Sequence, residues 1–185
     1  MIYLPFPDKK YQIIYADPPW KVKAGPRWSS SGISQDLTYP TMELESIMLL
    51  PIKDIADKNC HLYLWTINKY IEQSYEVARK WGFKPSCLIT WCKKPHGLGL
   101  GGAFVQTTEH LLFCRKGELH TNKRIDTTWF EHKRLRHSEK PQLFRDLILI
   151  ASGDLPRIEL FARPPKDRLF EDESYKGWDL WGDEV

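Results

Sequence analysis

Asp17, Pro18, Pro19 and Trp20 stand in a row directly after the apolar run Gln12-Ile13-Ile14-Tyr15-Ala16. Prolines cannot continue a β-ladder, because they carry no N–H donor, and their fixed φ stiffens whatever turn begins at Asp17. Their carbonyls are expected to lack backbone partners and to point outward. A carboxylate beside such a carbonyl forms a pair of acceptors suited to the two hydrogens of an exocyclic NH2 group. The Trp20 indole, expected to be partly exposed beyond the turn, offers a flat face for a nucleobase. The competing interpretation is an ordinary stiff turn, with Asp17 starting it and Trp20 packed on the body.

These residues need a rigid edge to hold them, and the rest of the chain reads as one. Strand-like runs alternate with helical ones, the order of a mostly parallel sheet with crossover helices. QIIYA is a strand and MELESIMLL a short helix ending at Pro51. CHLYLWT is a strand, followed by a helix from Asn68 to Trp81 with Asn68 as cap and Gly82 just past its end. SCLITWCK and EHLLFCRKG are further strands. SEKPQLFRDLILIAS is a helix with Ser138 as cap and Pro141 in the first turn, and Leu143, Phe144, Leu147, Ile148 and Ala151 share its apolar face. RIELFARPP is a strand closed by prolines, and GWDLWGDEV adds an edge strand. The expectation is one doubly wound α/β domain over residues 1–185. In such sheets ligands sit outside the carboxyl ends of the strands, which is where Asp17–Trp20, Thr66–Asn68 and Arg163–Pro165 all fall.

Bulk properties exclude several classes. With 185 residues and 42% apolar content the chain can bury a substantial core and is not disordered. It contains neither a membrane-length apolar span nor a signal-peptide core, so a cytoplasmic protein without membrane association is expected. Cys60, Cys87, Cys92 and Cys114 are scattered without zinc-ligand spacing and read as reduced thiols; no metal site is expected. Gly97, Gly99 and Gly102 spell G-x-G-x-x-G, but the residues that follow look extended rather than helical, so a loop over the crevice fits better than a phosphate cradle. The net charge of +3 is mild, yet Arg115 to Arg136 holds seven Lys/Arg against three Asp/Glu. Basic loops with aromatics among them suit a nucleic acid, and Arg134 and Arg136 are candidate contacts.

The blocks ADPPW, YPTM, LYLWT, ITWCK, EHLLFCRKG, HSEKP, RIELFAR and GWDLWGDE follow one another along nearly the whole chain. In that order they resemble the family that contains the catalytic subunit of the eukaryotic mRNA adenosine methyltransferase and its bacterial and phage relatives. The resemblance implies a Rossmann-like methyltransferase fold with permuted motifs, the catalytic strand early and the cofactor strand late. It implies S-adenosylmethionine as methyl donor and adenine N6 as acceptor. By match, Asp17, Pro18, Pro19 and Trp20 form the catalytic corner, and Trp20, Tyr39 and Lys93 join the basic residues as substrate contacts. Lys140 would meet the methionine end of the cofactor, Asp17 its sulfonium, and Glu159, Arg163, Asp183 and Glu184 its ribose and adenine. Pro165 departs from the family, where a histidine is expected, and Gly182-Asp183-Glu184 replaces Gly-Asn-Gln. The compact size resembles the bacterial and phage branch, so DNA is favoured over RNA, with loops 21–40, 94–107 and 118–137 or a partner subunit reading the target. A catalytically silent partner subunit is the alternative of another class, and the intact Asp17–Trp20 motif argues against it.

Overall fold

A computed structural model describes residues 5–21, 41–95, 103–135, 139–162 and 175–182. An inner strand, β1 (Tyr11–Ala16), has its side chains buried on both faces as expected of a strand between two parallel neighbours. Those neighbours are β2 (Ala56–Thr66) and β6 (Arg157–Leu160). The remaining strands are β3 (Lys84–Lys94), β4 (Thr108–Lys116), β5 (Trp129–Lys133) and β7 (Asp179–Trp181). Among the described residues these seven form one sheet in the order β5-β3-β4-β2-β1-β6-β7. Only β4 runs antiparallel to its neighbours, so every other strand ends at the same edge.

Helices cover both faces of this mostly parallel α/β sheet. On one lie α1 (Leu44–Met48), α2 (Ile52–Ile55) and α3 (Ile71–Lys80), whose Ile47, Ile52, Ile55, Val77 and Ala78 pack with Ile14, Leu62, Leu64 and Leu112. On the other lies α4 (Gln142–Ser152), with Phe144 and Ile148 against Ile13, Tyr15, Tyr63 and Trp65. All four cysteines are free thiols, and burial pushes Cys60 and Cys114 up to about 12. No helix among the described residues is long and apolar enough to cross a membrane.

Several expectations need correction. Asn68 does not cap α3. A 3-10 turn (Asn68–Tyr70) comes first, and the Asn68 amide reaches instead to Thr108 O (3.3 Å), Thr108 Oγ1 (3.1 Å) and His110 Nε2 (3.1 Å). Gly82 does close α3, with φ +86° and Phe83 N–H donating to Ala78 O at 2.9 Å. Pro141 stands at the cap position of α4 rather than inside its first turn, and Ser138 lies outside the described residues. Residues 118–137 are not wholly a loop, since β5 pairs with β3 along the sheet edge. Its alternating exposed and half-buried side chains, two of them Glu131 and Lys133, are those of a guarded edge strand.

Candidate active site

The parallel strands β1, β2 and β6 bring Asp17, Thr66 and Ala162 to one edge of the sheet. Asp17 N–H still donates to Leu160 O at 3.3 Å, so β1 stays attached to β6 up to the acid itself. Trp20 N–H then donates to Pro18 O at 2.8 Å, a three-residue turn around Pro19, and Met42 N–H donates to Pro19 O at 2.9 Å. Both proline carbonyls are therefore engaged, contrary to the expectation that they lack partners. The turn closes on itself and residue 42 comes alongside as a parallel bridge. A carbonyl has two lone pairs, so Pro18 O retains one.

Trp20 is a second correction. It is 5% exposed, its indole N–H donates to Trp65 O at 3.0 Å, and its ring stacks on Tyr70 with centroids 5.2 Å apart. Met42 and the 3-10 turn that ends at Tyr70 cover it; a bare indole at the sheet edge would leave a large apolar surface in water. The side chain ties β1 to β2 and is not an open platform for a base.

Asp17 keeps one side open. Its Oδ2 accepts from Lys140 Nζ at 2.7 Å, while among the described residues Oδ1 has no hydrogen bond. Lys140, just ahead of α4, also lies 3.5 Å from Glu109 Oε2 and 5.2 Å from the centre of the Trp65 ring. Glu109 in turn pairs with Lys93 across the β3–β4 ladder. The result is a charge-balanced quartet of two acids and two ammonium groups, each only 10–20% exposed. Burial pushes the Glu109 carboxyl up, but Lys140 and Lys93 outweigh it and hold it below its ordinary range. Next to it, burial pulls the His110 imidazole down, with Glu109 acting against that.

Of the expected site residues, Asp17, Pro18, Lys93 and Lys140 come together here. Arg134 follows β5 at the same edge, its N–H donating to Lys94 O at 2.8 Å. Glu159 is engaged within the protein: both its oxygens accept from Arg145 (2.7 and 2.8 Å) in a pair about 6–7% exposed. Burial raises its carboxyl and the guanidinium opposes the rise. The pair pins α4 to β6. Tyr39, Arg136, Arg163, Asp183 and Glu184 lie outside the described residues. Beside Gly182, Phe161 takes φ 61°, unusual for a bulky residue and found right after β6. A Cβ on Gly182 would meet Ala162 O at 3.0 Å, so the backbones cross there at a spacing that favours glycine. Sequence reasoning missed Glu109 and Arg145. The signal for Arg145 was a charged residue on the helical stripe of Ile148 and Ser152.

The MT-A70 family model matches residues 11–184. The chain belongs to the MT-A70 family of methyltransferases. Its match to the Type II methyltransferase M.MunI of a Mycoplasma species is 30% identical over all of this chain and 82% of that protein. The N(6)-adenosine-methyltransferase catalytic subunit METTL3 of Homo sapiens is 26% identical over 84% of this chain and 26% of its own length. The N6-adenosine-methyltransferase non-catalytic subunit MTB of Arabidopsis thaliana is 36% identical over 45% of this chain and 10% of its own length. This MT-A70 chain thus spans about a quarter or less of those two relatives.

Proposed function

We propose that this chain is a single methyltransferase domain that moves a methyl group from S-adenosylmethionine to the N6 amino group of adenine in DNA. The observation that carries the reading is Asp17, held at the carboxyl end of β1 with Oδ2 fixed by Lys140 and Oδ1 without a hydrogen bond among the described residues. The lone pair of an adenine amine is delocalised into the ring. Accepting its hydrogens at Asp17 Oδ1 and at the second lone pair of Pro18 O favours a pyramidal nitrogen with its lone pair aimed outward. That stabilisation grows as the transition state forms, which is the kind that raises rate. Asp17 need not take a proton before attack; the methylated nitrogen, cationic after transfer, loses its extra proton to water.

The donor set fits the methionine end of S-adenosylmethionine: the Lys140 ammonium suits a carboxylate, and Asp17 with the Trp65 face suits a sulfonium. Bound there, the cofactor supplies an electrophilic methyl. Arg163, Asp183 and Glu184 are proposed for its ribose and adenine end, and Tyr39, Lys93, Arg134 and Arg136 for the nucleic acid. Holding the amine in line is worth on the order of 7 kcal/mol or more.

Support for DNA comes from the whole-length likeness to a type II methyltransferase. The adenosine methyltransferases among the relatives favour RNA as the second reading. Several relatives are named as subunits, which supports a second chain, a further copy or a partner, in the working enzyme. The test is to incubate the protein with methyl-labelled S-adenosylmethionine and duplex DNA or RNA, then identify labelled nucleosides by mass spectrometry. N6-methyldeoxyadenosine is expected. Label confined to RNA would select the second reading, and no label in either would end both.

A further inference from the structure

Phe104 is 82% exposed and Val105 beside it 44% exposed, an apolar pair left in water at one point of the chain. Its position gives the exposure meaning. Thr107 O accepts from Lys93 N–H at 2.8 Å, which ties the segment before β4 to the end of β3. Phe104 is three residues earlier, so its Cα lies within about 11 Å of Thr107. Two residues beyond Thr107, Glu109 touches Lys93 and approaches Lys140, the partner of Asp17. Phe104 is therefore tethered within reach of the sheet edge that carries the quartet, where Lys94, itself half exposed, ends β3. Trp20 cannot offer a flat face there, because it is buried against Tyr70.

An adenine inside a duplex must leave the stack before its amine can reach Asp17, and the gap it leaves costs stacking energy. Apolar side chains such as Phe, inserted between base steps, fill that kind of gap. Resting on the DNA-adenine reading, we propose that Phe104 is a wedge that enters the duplex where the target adenine has been extruded. It is a positioning residue: it holds the extruded state open and takes no part in methyl transfer.

The test begins by mapping the adenines that the wild-type protein methylates on plasmid DNA. Two short duplexes carrying a mapped site are then compared, one with thymine and one with an abasic position opposite the target, together with Phe104→Ala and Phe104→Trp variants. Phe104→Ala should lose about tenfold or more in kcat/KM on the paired duplex, and much less on the abasic one, where extrusion is cheap. Phe104→Trp should retain most activity on both. With 2-aminopurine at the target, wild type should brighten the probe and Phe104→Ala should not. An equal loss on both duplexes, or no loss on the paired one, overturns the wedge while leaving the DNA-adenine reading intact. A wild-type protein that modifies only single strands also overturns it, and one that modifies no DNA overturns the reading beneath it as well.

Discussion

Replacing Trp20 separates a buried tie from a stacking platform. Trp20 is 5% exposed, stacks on Tyr70 and donates its indole N–H to Trp65 O at 3.0 Å. Truncating such a side chain to alanine costs about 3–5 kcal/mol through lost transfer and the cavity left behind. For a domain of this size each kcal/mol moves Tm by about 2–4 °C, so Trp20→Ala should melt roughly 6–20 °C below wild type. Trp20→Phe keeps a ring but loses the donor, and should cost about 1–3 kcal/mol. Guanidinium titrations of the three proteins give the differences from the midpoints, provided the slopes match. Calorimetry with the cofactor, run beside them, reports whether loss of the tie also loosens the Asp17 corner. If Trp20→Ala unfolded at the wild-type midpoint while nucleic-acid affinity fell, the indole would be a platform after all, and the packing argument would be wrong.

Three further outcomes follow from the charges. Glu109→Gln leaves Lys93 and Lys140 short of an acid and should destabilise the protein by about 2–3 kcal/mol at pH 7, below the cost of breaking a fully buried pair because the quartet is partly exposed. Because the Glu109 carboxyl is held low in the folded state, this stabilisation is complete above the ordinary carboxyl value of about 4.3 and lost as pH falls through the lower folded value. The gap between the two proteins should therefore close on acidification, as denaturation at several pH values will report. Arg145→Met strands the Glu159 carboxylate and should cost about 3–5 kcal/mol, most of it recovered in Arg145→Met/Glu159→Leu. Calorimetry should find cofactor affinity in the double variant within a few-fold of wild type, and a large loss would return Glu159 to the binding site. His61, whose Nδ1 lies 2.8 Å from Ser152 Oγ, is pulled below its ordinary value by burial. The unfolded state then takes up the proton first, so stability should fall as pH drops below about 6.5, and His61→Asn should flatten that part of the profile.

The sheet was largely legible because β1 and the second half of β2 are buried on both faces and read as nearly continuous apolar runs, while β6 ends shortly before a pair of prolines. The reversed direction of β4 was not, since EHLLFCRK has the same pattern read either way. Burial of β3 and β4 therefore gave no orientation. β5 escaped notice because edge strands carry the charges that elsewhere mark loops. At the candidate site, Asp17 could be singled out from its own neighbours, but the fate of Trp20 depended on Tyr70, fifty positions away. Local sequence says that an indole follows the turn, not what will cover it. Glu109 and Lys93 lie sixteen residues apart and meet only across a ladder whose direction was unread. Arg145 was readable as a charge on an apolar stripe, a pattern that calls for a buried acid on a facing strand.

The most direct measurement compares wild type with Asp17→Asn, a change that preserves shape but removes the carboxylate facing the amine. Both are supplied with duplex DNA and S-adenosylmethionine, the nucleosides are quantified by mass spectrometry, and cofactor affinity is measured in parallel. Wild type should yield N6-methyldeoxyadenosine and Asp17→Asn almost none, with cofactor still bound. Equal yields from the two proteins, or a methyl group on a different atom, would contradict the assignment of Asp17 as the acceptor of the adenine amine.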